Sequence, residues 1–443
     1  MTEPILSLAG DSLIERSKKA VWHPCTQMKL HESQPLLAIA RGEGAWLFDT
    51  DGKRYLDAVS SWWVNLFGHG HAGIKAAITD QLERIEHVML AGCTHEPVVA
   101  LSERLGAITG LGHAFYGSDG ASATEIALKM SAHYWRNLGR PQKNGFIGLA
   151  GGYHGETAGA LSVTDIALFR EAYGPLVRVS ATVPTPDPRL APPGMSARDF
   201  AVQCADALEA FLQANHPHIA AFIVEPLVQC AAGLVMYDAE YLRRARALCD
   251  RFEVHLVADE IAVGFGRTGS LFAYQQAHIL PDFVCLSKGL TGGYLPLSAV
   301  LTTDTVYDAF YDDSSARGFL HSHSYTGNPL ACRAALATLD VFAQSDVLAQ
   351  NRATAARLTT LCEPLTNHPQ VRSARQIGML WAFDVDTSDP LFSRRYHAAA
   401  LQRGLLLRPI GNTLYFMPPY VIDDAASRWL ADGALATLNE VLQ

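Results

Sequence analysis

The sequence predicts an α/β fold built on a largely parallel sheet, followed by a smaller α+β domain. From about residue 75 to 305, strand-like segments alternate with helix-like segments. Such alternation is typical of a parallel sheet covered by helices on both faces. After about residue 330 a long helix leads into a mixed region. We therefore expect a large domain over residues 61–335, a small domain over 336–443, and an N-terminal segment, 1–60, that joins the small domain.

The predicted elements of the large domain follow from local composition. Residues 123–138 have the apolar spacing of a helix, and residues 241–252 form a second, amphipathic one. Short apolar runs rich in Val, Ile, Leu and Phe predict buried strands. These runs cover residues 145–150, 219–226, 254–259, 283–287 and 297–302.

The C-terminal region is predicted to begin with a helix over residues 329–343. Residues 379–385 are then expected to form a strand. Residues 404–419 resemble a β-hairpin with Gly411-Asn412 as the turn.

Composition excludes several classes of protein. A chain of 443 residues, 49% of them hydrophobic, is long enough to bury a large core. The net charge of -9 comes with no basic run, so we expect no nucleic-acid partner. The eight cysteines form no Cys-x-x-Cys pair, which favours reduced thiols in the cytoplasm over disulfides or a metal site.

No membrane attachment is expected from the sequence. Residues 1–11 lack a basic flank and a long apolar stretch, so no secretory signal is predicted. The most apolar window, residues 219–236, is interrupted by Glu225, Pro226 and Gln229 and does not resemble a transmembrane helix.

Two predicted strands each present one polar residue at the carboxyl end. Asp259 ends one strand, and Lys288 follows another and precedes a glycine-rich turn. The carboxyl ends of parallel strands lie at one edge of the sheet, where ligands bind. A lysine can form a Schiff base with pyridoxal phosphate, and an aspartate can hold the pyridine nitrogen protonated. A surface lysine is the alternative, but the apolar run before Lys288 argues against it.

Two loops could complete such a site. The segment that begins Gly117-Ser-Asp-Gly-Ala-Ser opens a helix, so it offers backbone donors and a helix N-terminus to a phosphate. The alternative is an ordinary capped helix with Asp119 or Ser122 as the cap. In the second loop, Tyr153 could lie against a cofactor ring or a substrate.

Together these segments resemble the class III pyridoxal-phosphate aminotransferases of fold type I, over about residues 22–420. Six segments match. They are Ser-Asp-Gly-Ala from Ser118, Gly-Tyr-His-Gly-Glu-Thr from Gly152, Val-Glu-Pro from Val224, Asp-Glu-Ile from Asp259, Ser-Lys-Gly-Leu-Thr-Gly-Gly from Ser287 and Tyr-Thr-Gly-Asn-Pro-Leu-Ala from Tyr325. The resemblance implies a mostly parallel, seven-stranded sheet between helices and pyridoxal 5'-phosphate as cofactor.

The resemblance also implies roles at the cofactor. Lys288 would be the Schiff-base lysine and proton shuttle, Asp259 the partner of the pyridine nitrogen, and Tyr153 a third catalytic residue beside the ring. Gly120 and Ala121 would receive the phosphate.

Further residues are implied for a shared site and for the substrate. His323 and Ser324 would reach the phosphate of a neighbouring subunit, which implies a homodimer. Trp62, Tyr153, Ser322 and Lys288 would line the substrate site, and Arg408 would bind a substrate carboxylate.

A narrower resemblance concerns the substrate. The segments Trp22-His-Pro, Ser60-Ser-Trp-Trp and Leu407-Arg-Pro-Ile-Gly-Asn are similar to members that aminate 8-amino-7-oxononanoate in biotin synthesis. That implies 7,8-diaminononanoate as product and S-adenosylmethionine, or in some relatives lysine, as donor. The residues suit such a keto acid, since tryptophans can wall an apolar trough and an arginine can grip a carboxylate. Core packing is an equally good interpretation of Trp63.

The chain departs from the family pattern in three places. Cys25 stands where well-known members carry a tyrosine that helps to recognise the substrate. Ala121 replaces a phosphate-binding hydroxyl. Ser322-His-Ser replaces Gly-x-Thr.

Other activities stay open at this point. An ω-amino acid:pyruvate or diamine aminotransferase would use the same scaffold. Ornithine- and 4-aminobutyrate-type members usually carry Gln-Gly-Glu after Glu-Pro, and the segment after Pro226 lacks that second acid. An aminomutase of the glutamate-semialdehyde type and a non-catalytic cofactor-binding protein are the remaining alternatives.

Overall fold

The computed structural model describes residues 12–443, so the predicted lack of a secretory signal, which rests on residues 1–11, lies outside the described residues. The strands are β1 (Ile39–Glu43), β2 (Trp46–Asp49), β3 (Arg54–Asp57), β4 (His113–Gly117), β5 (Gly145–Leu149), β6 (Ala181–Val183), β7 (Ile219–Val224), β8 (Val228–Gln229), β9 (Val235–Met236), β10 (His255–Asp259), β11 (Phe283–Leu286), β12 (Ser298–Thr302), β13 (Val371–Ile377), β14 (Leu380–Val385), β15 (Leu405–Leu406) and β16 (Thr413–Phe416).

The helical segments are α1 (Leu13–Ala20), α2 (Ser60–Trp63, a left-handed turn), α3 (Ala72–Leu82), α4 (Glu96–Thr109), α5 (Gly120–Asn137), α6 (Ala158–Val163), α7 (Ala167–Tyr173), α8 (Ala197–Asn215), α9 (Glu240–Arg251), α10 (Asp304–Asp308), α11 (Pro329–Gln344), α12 (Val347–Leu361), α13 (Glu363–Thr366), α14 (Phe392–Gln402) and α15 (Asp424–Val441). Among residues 12–443, no helix combines the length and the apolar character that crossing a membrane requires.

The central sheet has seven strands in the order β4-β12-β11-β10-β7-β5-β6. Neighbours from β11 to β6 run parallel, whereas β12 is antiparallel to both β11 and β4. The predicted α/β fold with a mostly parallel sheet is therefore confirmed. Strands β4 and β6 were not predicted, since β6 has only three residues and β4 directly precedes a glycine-rich loop.

Helices cover both faces of this sheet because the buried strands are apolar on both sides. Ile223 and Val257 pack with α5 on one face. The alternate residues Phe222 and Leu256 pack with α8 and α9 on the other. The period of two along each strand thus places the apolar side chains in two separate layers.

A second core joins the two ends of the chain. In the four-stranded sheet β1-β2-β3-β15, Leu56 of β3 lies opposite Leu405 of β15. These strands share a hydrophobic core with the sheet β13-β14-β16 and helices α12, α14 and α15. The predicted domain boundaries near residues 60 and 335 stay a prediction.

The predicted hairpin over residues 404–419 is wrong in part. Gly411-Asn412 does form a tight turn, with Ile410 and Thr413 exchanging backbone hydrogen bonds of 3.0 and 2.9 Å. However, β15 pairs with β3 and β16 pairs with β14, so the two strands belong to different sheets.

His255 gives the core a predictable response to acid. It is buried among aromatic rings, with Nδ1 2.8 Å from Ser131 Oγ, and burial lowers its pKa to about 4. The unfolded chain takes up this proton near pH 6.5, so the folded state loses stability as pH falls from there towards 4. The substitution His255→Asn keeps a polar atom near the Nδ1 position. Between pH 7 and pH 4 we expect the free energy of unfolding of this variant to fall by about 3 kcal/mol less than that of the parent protein.

Urea unfolding at both pH values measures this difference. His278→Asn, at an exposed histidine, is the control and should follow the parent protein. Equal acid sensitivity of His255→Asn and the parent would contradict the assignment.

Candidate active site

A cavity of about 770 Å³ opens at the carboxyl ends of the central strands. Residues at or after the ends of β5, β7, β10 and β11 contribute to its lining, together with residues 62–64 and 408–410. Its lining includes the predicted residues Trp62, Gly120, Ala121, Tyr153, Asp259, Lys288 and Arg408. The structure thus brings together every predicted site residue except the 322–324 triplet; the individual roles stay predictions.

Lys288 lies two residues after the end of β11 in a left-handed backbone conformation, with φ of 45°. Its Nζ is 4.7 Å from the centre of the Trp63 ring. Burial lowers the pKa of this ammonium below its usual range, while nearby acids, Asp259 and Glu225 among them, act in the opposite direction. A lowered pKa makes the neutral, nucleophilic amine more accessible.

Asp259 is buried and held by two partners at the end of β10. Its Oδ2 is 2.6 Å from His154 Nδ1, and its Oδ1 accepts the backbone N–H of Ile261 at 3.1 Å. The backbone of His154 is itself fixed, because its backbone N–H donates to Thr164 Oγ1 and its backbone carbonyl accepts from the Thr124 hydroxyl. The carboxylate therefore has a single orientation towards the cavity.

His154 was given no role by the sequence, although it lies inside the quoted Gly152-Tyr-His-Gly segment. It lines the cavity, and its Nε2 is buried without a hydrogen-bond partner among residues 12–443. Its position beside Tyr153 and just after a strand is the signal that could have identified it.

The N-terminus of α5 forms a cradle that fits a phosphate. Asp119 caps the helix by accepting the Ser122 N–H at 2.8 Å and its hydroxyl at 3.0 Å, so of the two possible caps it is Asp119 that the helix uses. A Cβ on Gly120 would lie 3.0 Å from Ile261, and one on Gly155 would lie 2.6 Å from the Ala121 Cβ. Because the Ser122 N–H is used by Asp119, the N–H groups of Gly120 and Ala121 at the start of α5 are the ones left for an anion.

The two tryptophans stand on a strained turn. Residues 60–63 have φ of 50°, 47°, 69° and 72°, and none of them is glycine. A left-handed helical conformation costs roughly 1–2 kcal/mol per L-residue. Trp63 is 5% exposed and donates from Nε1 to the Tyr415 hydroxyl at 3.1 Å, yet it also lines the cavity. Both interpretations of Trp63, core packing and a cavity wall, therefore hold.

Arg408 follows β15 and is exposed at the cavity. Its guanidinium carbon lies 5.1 Å from the centre of the Trp62 ring. Within residues 12–443 it forms no ion pair or hydrogen bond, so no structural salt bridge occupies its guanidinium there. A cation stacked on an aromatic ring and left without a carboxylate is suited to bind one.

Glu156 and Cys25 form the rim of the cavity beside Tyr153. The Tyr153 hydroxyl donates to Glu156 Oε1 at 2.9 Å, and the Cys25 thiol lies 3.6 Å from the same oxygen. The pKa values of the Tyr153 phenol and the Cys25 thiol are both raised, mainly by burial and secondly by the nearby carboxylate of Glu156. Cys25 is therefore a neutral, weak donor, and Glu156, which the sequence did not single out, is the acid at this rim.

Glu225, from the Val-Glu-Pro segment, ties two cavity loops together. Its Oε2 accepts the N–H of Tyr153 and its Oε1 accepts that of Cys230, both at 3.0 Å. Burial raises its pKa to about 7. Its contacts fix the backbone that presents Tyr153.

Residues 322–324 do not line the cavity of their own chain. Ser322 and Ser324 are exposed. His323 Nδ1 is 3.5 Å from Ser118 Oγ, beside the cradle, and its Nε2 is 3.1 Å from His321 Nε2. The predicted contacts of these residues with a neighbouring subunit stay predictions.

The thiols and acids do not assemble into a metal site in the part of the chain that is described. All eight cysteines are free. Residues 12–443 contain no group of three or more His, Cys, Asp or Glu side chains placed to hold a metal ion.

Known proteins are similar to this chain in both sequence and fold. The family model for class-III aminotransferases matches residues 28–438. The adenosylmethionine-8-amino-7-oxononanoate aminotransferase of Helicobacter pylori is 43% identical over 431 residues, 95% of this chain and 96% of that protein. The crystal structure of the protein so named from Methanocaldococcus jannaschii is 34% identical, with a TM-score of 0.90 over 97% of this chain and 98% of that one. An omega transaminase from Pseudomonas jessenii, solved in complex with PMP, is 26% identical, with a TM-score of 0.93 over 98% and 99%.

Proposed function

This chain belongs to the class-III aminotransferase family, and from that premise we propose that it converts 8-amino-7-oxononanoate to 7,8-diaminononanoate, a step of biotin synthesis. S-adenosylmethionine is the proposed amino donor. We further propose that it works as a homodimer in the cytoplasm, with the 322–324 triplet of each subunit completing the site of the other. The likeness to named relatives at 34–43% identity supports the substrate.

Pyridoxal phosphate is the proposed cofactor, and the cavity has the groups that would hold it. The N-terminus of α5, at Gly120 and Ala121, suits the phosphate, and the buried carboxylate of Asp259 suits a protonated ring nitrogen. Lys288 presents a primary amine whose pKa burial lowers. When bound, pyridoxal phosphate supplies an aldehyde that takes up amino groups and a ring that accepts electrons.

The protein's own groups then carry the proton transfers. Lys288 Nζ is the base that removes the proton from the amine-bearing carbon of the donor and the acid that returns a proton to the acceptor carbon. Asp259, oriented by His154 at 2.6 Å, keeps a negative charge where the ring nitrogen would lie. Tyr153 is held beside them by Glu225 and Glu156.

The remainder of the cavity suits the keto acid. Trp62 and Trp63 form an apolar wall, and Arg408 lies over Trp62 where a carboxylate can reach it. Glu156 offers an acid to the substrate's own amino group. Arg408, stacked on Trp62 and without an ion pair within residues 12–443, is the observation that carries this assignment, because a long, apolar substrate with one carboxylate needs a cation at the end of a trough.

The main alternative is an ω-amino acid:pyruvate or diamine aminotransferase. The structural likeness to an omega transaminase at 26% identity supports the same scaffold. This likeness supports an ω-amino acid substrate less strongly than the relatives at 34–43% identity support the keto acid. Lysine as the donor in place of S-adenosylmethionine would leave the acceptor half-reaction unchanged.

Arg408→Ala should separate the two half-reactions and so test the proposed acceptor. Loss of a charged hydrogen-bonding pair typically costs 1.5–3 kcal/mol, so we expect the KM for 8-amino-7-oxononanoate to rise roughly 10- to 100-fold. The rate of the donor half-reaction should change little. Steady-state kinetics and single-turnover measurements with donor alone give the two quantities.

The control is Arg394→Ala, an exposed arginine of α14, which should leave both quantities unchanged. If the donor half-reaction of Arg408→Ala falls as far as the acceptor reaction, Arg408 does not act as the carboxylate receptor. If the parent does not aminate this keto acid at all, the ω-amino acid alternative takes precedence.

A further inference from the structure

The left-handed turn of residues 60–63 is the most strained backbone that borders the cavity. Four consecutive non-glycine residues have positive φ there. Strain of this kind persists only where the surroundings enforce it, and it tends to occur at functional sites. The groups that enforce it are therefore candidates for a role in the reaction.

Asp57, the last residue of β3, holds the middle of this turn. It is fully buried, and its two oxygens accept from one residue: Oδ1 from the Ser61 N–H at 2.8 Å and Oδ2 from the Ser61 hydroxyl at 2.7 Å. This pair of bonds fixes Ser61 at φ of 47°.

His69 holds Asp57 in turn. His69 Nε2 lies 3.0 Å from Asp57 Oδ2, and its Nδ1 lies 3.2 Å from the side-chain nitrogen of Asn65. An amide nitrogen can only donate, so Nδ1 accepts and Nε2 carries the proton that is donated to Asp57. The backbone N–H of Asn65 also donates to the Ser60 carbonyl at 3.1 Å, so this hydrogen-bond network returns to the turn.

The turn presents one ring to each of the two basic side chains of the site, Arg408 and Lys288. Trp62 lies under the Arg408 guanidinium at 5.1 Å, and Trp63 lies under the Lys288 amine at 4.7 Å. A change of φ at Ser61 would move both rings at once, because they are the next two residues along the chain.

We propose that Asp57, oriented by His69, is a positioning residue for the transamination: it holds the left-handed turn so that Trp62 and Trp63 face Arg408 and Lys288. Asp57 touches neither cation itself. Its effect passes through the backbone of Ser61 to the two indole rings.

Asp49 provides a matched comparison on the neighbouring strand. It ends β2 as Asp57 ends β3, and it also ties a turn by accepting the backbone N–H groups of Asp51 and Lys53. That turn carries no residue of the cavity. Asp49→Asn therefore tests loss of an anchoring acid in this sheet without loss of ring placement.

The experiment compares Asp57→Asn with Asp49→Asn. For each variant we would measure kcat and KM per cofactor-titrated site, the thermal midpoint, and the near-ultraviolet circular dichroism of the protein without cofactor. For Asp57→Asn we expect kcat to fall on the order of 10²-fold, since small misplacements of an active site have effects of that size. The KM for the keto acid should rise, and the tryptophan circular dichroism should change. Asp49→Asn should lower only the thermal midpoint.

Two outcomes would overturn the proposal. One is an Asp57→Asn variant that loses only thermal stability and keeps kcat, KM and its aromatic signal, as expected of a purely structural acid. The other is an Asp49→Asn variant that shows the same kinetic losses. If Asp57→Asn does not fold, Ser61→Ala, which removes only the hydroxyl bond to Oδ2, should reduce kcat by about 10-fold, and unchanged kinetics in that variant would refute the role.

The kinetic part of this test rests on the proposed function, but the circular dichroism does not. If the parent fails to aminate the keto acid, the proposed substrate is wrong, while an altered tryptophan signal in Asp57→Asn still supports the positioning role. An unaltered signal refutes it in either case.

Discussion

Lys288→Ala is expected to abolish transamination, with kcat lower by at least about 10⁴-fold, because one amine serves as nucleophile, base and acid. The cavity would otherwise be intact, since the phosphate cradle and Asp259 belong to other segments. The variant should therefore fold and still bind pyridoxal phosphate without a covalent bond. Activity assays and cofactor titration of the purified protein measure both results.

Two further variants control for this change. Lys288→Arg keeps a cation of similar length but not a nucleophile, because a guanidinium stays charged, so it should be as inactive as Lys288→Ala. Lys75→Ala removes an exposed lysine of α3 and should retain full activity. More than trace turnover by Lys288→Ala would show that another group moves the proton.

Asp259→Asn should have the second-largest effect. The amide can still accept the Ile261 N–H and contact His154, so the fold should survive, but the negative charge at the ring nitrogen is lost. We expect kcat to fall on the order of 10³-fold, as when one preorganised electrostatic contact is removed. Both half-reactions should slow together, because both need the ring to accept electrons.

Asp346→Asn is the matched control, since Asp346 caps α12 far from the cavity and asparagine caps helices equally well. It should retain the activity of the parent. An Asp259→Asn variant within a few-fold of the parent would mean that this carboxylate only orients His154.

The fold could be predicted because the central strands are apolar on both faces. The runs that contain Ile223 and Val257 have no other stable place than the interior of a helix-covered sheet. The 404–419 segment was harder, because partner choice for two short strands depends on tertiary pairing. Leu405 pairs with Leu56, which lies near the opposite end of the sequence.

Part of the site could be predicted for a similar reason. Lys288 and Asp259 each follow a predicted strand, so topology alone brings them to one edge. His154 and Glu225 also come just after strands, so the same rule could have brought them to this edge, but no local pattern gives their contacts with Asp259 and Tyr153. A left-handed turn at Ser61 has no sequence signal either, because it contains no glycine and is held by Asp57.

The proposed reaction is best tested by adding 7,8-diaminononanoate to the purified, cofactor-loaded protein and recording its absorbance spectrum. We expect the yellow absorbance of the bound pyridoxal phosphate to disappear as the amino group is transferred to it, and we expect 8-amino-7-oxononanoate to restore this absorbance. S-adenosylmethionine and lysine can then be compared as donors in the same assay. A yellow protein whose spectrum does not respond to the diamine but does respond to an ω-amino acid would contradict the proposed substrate.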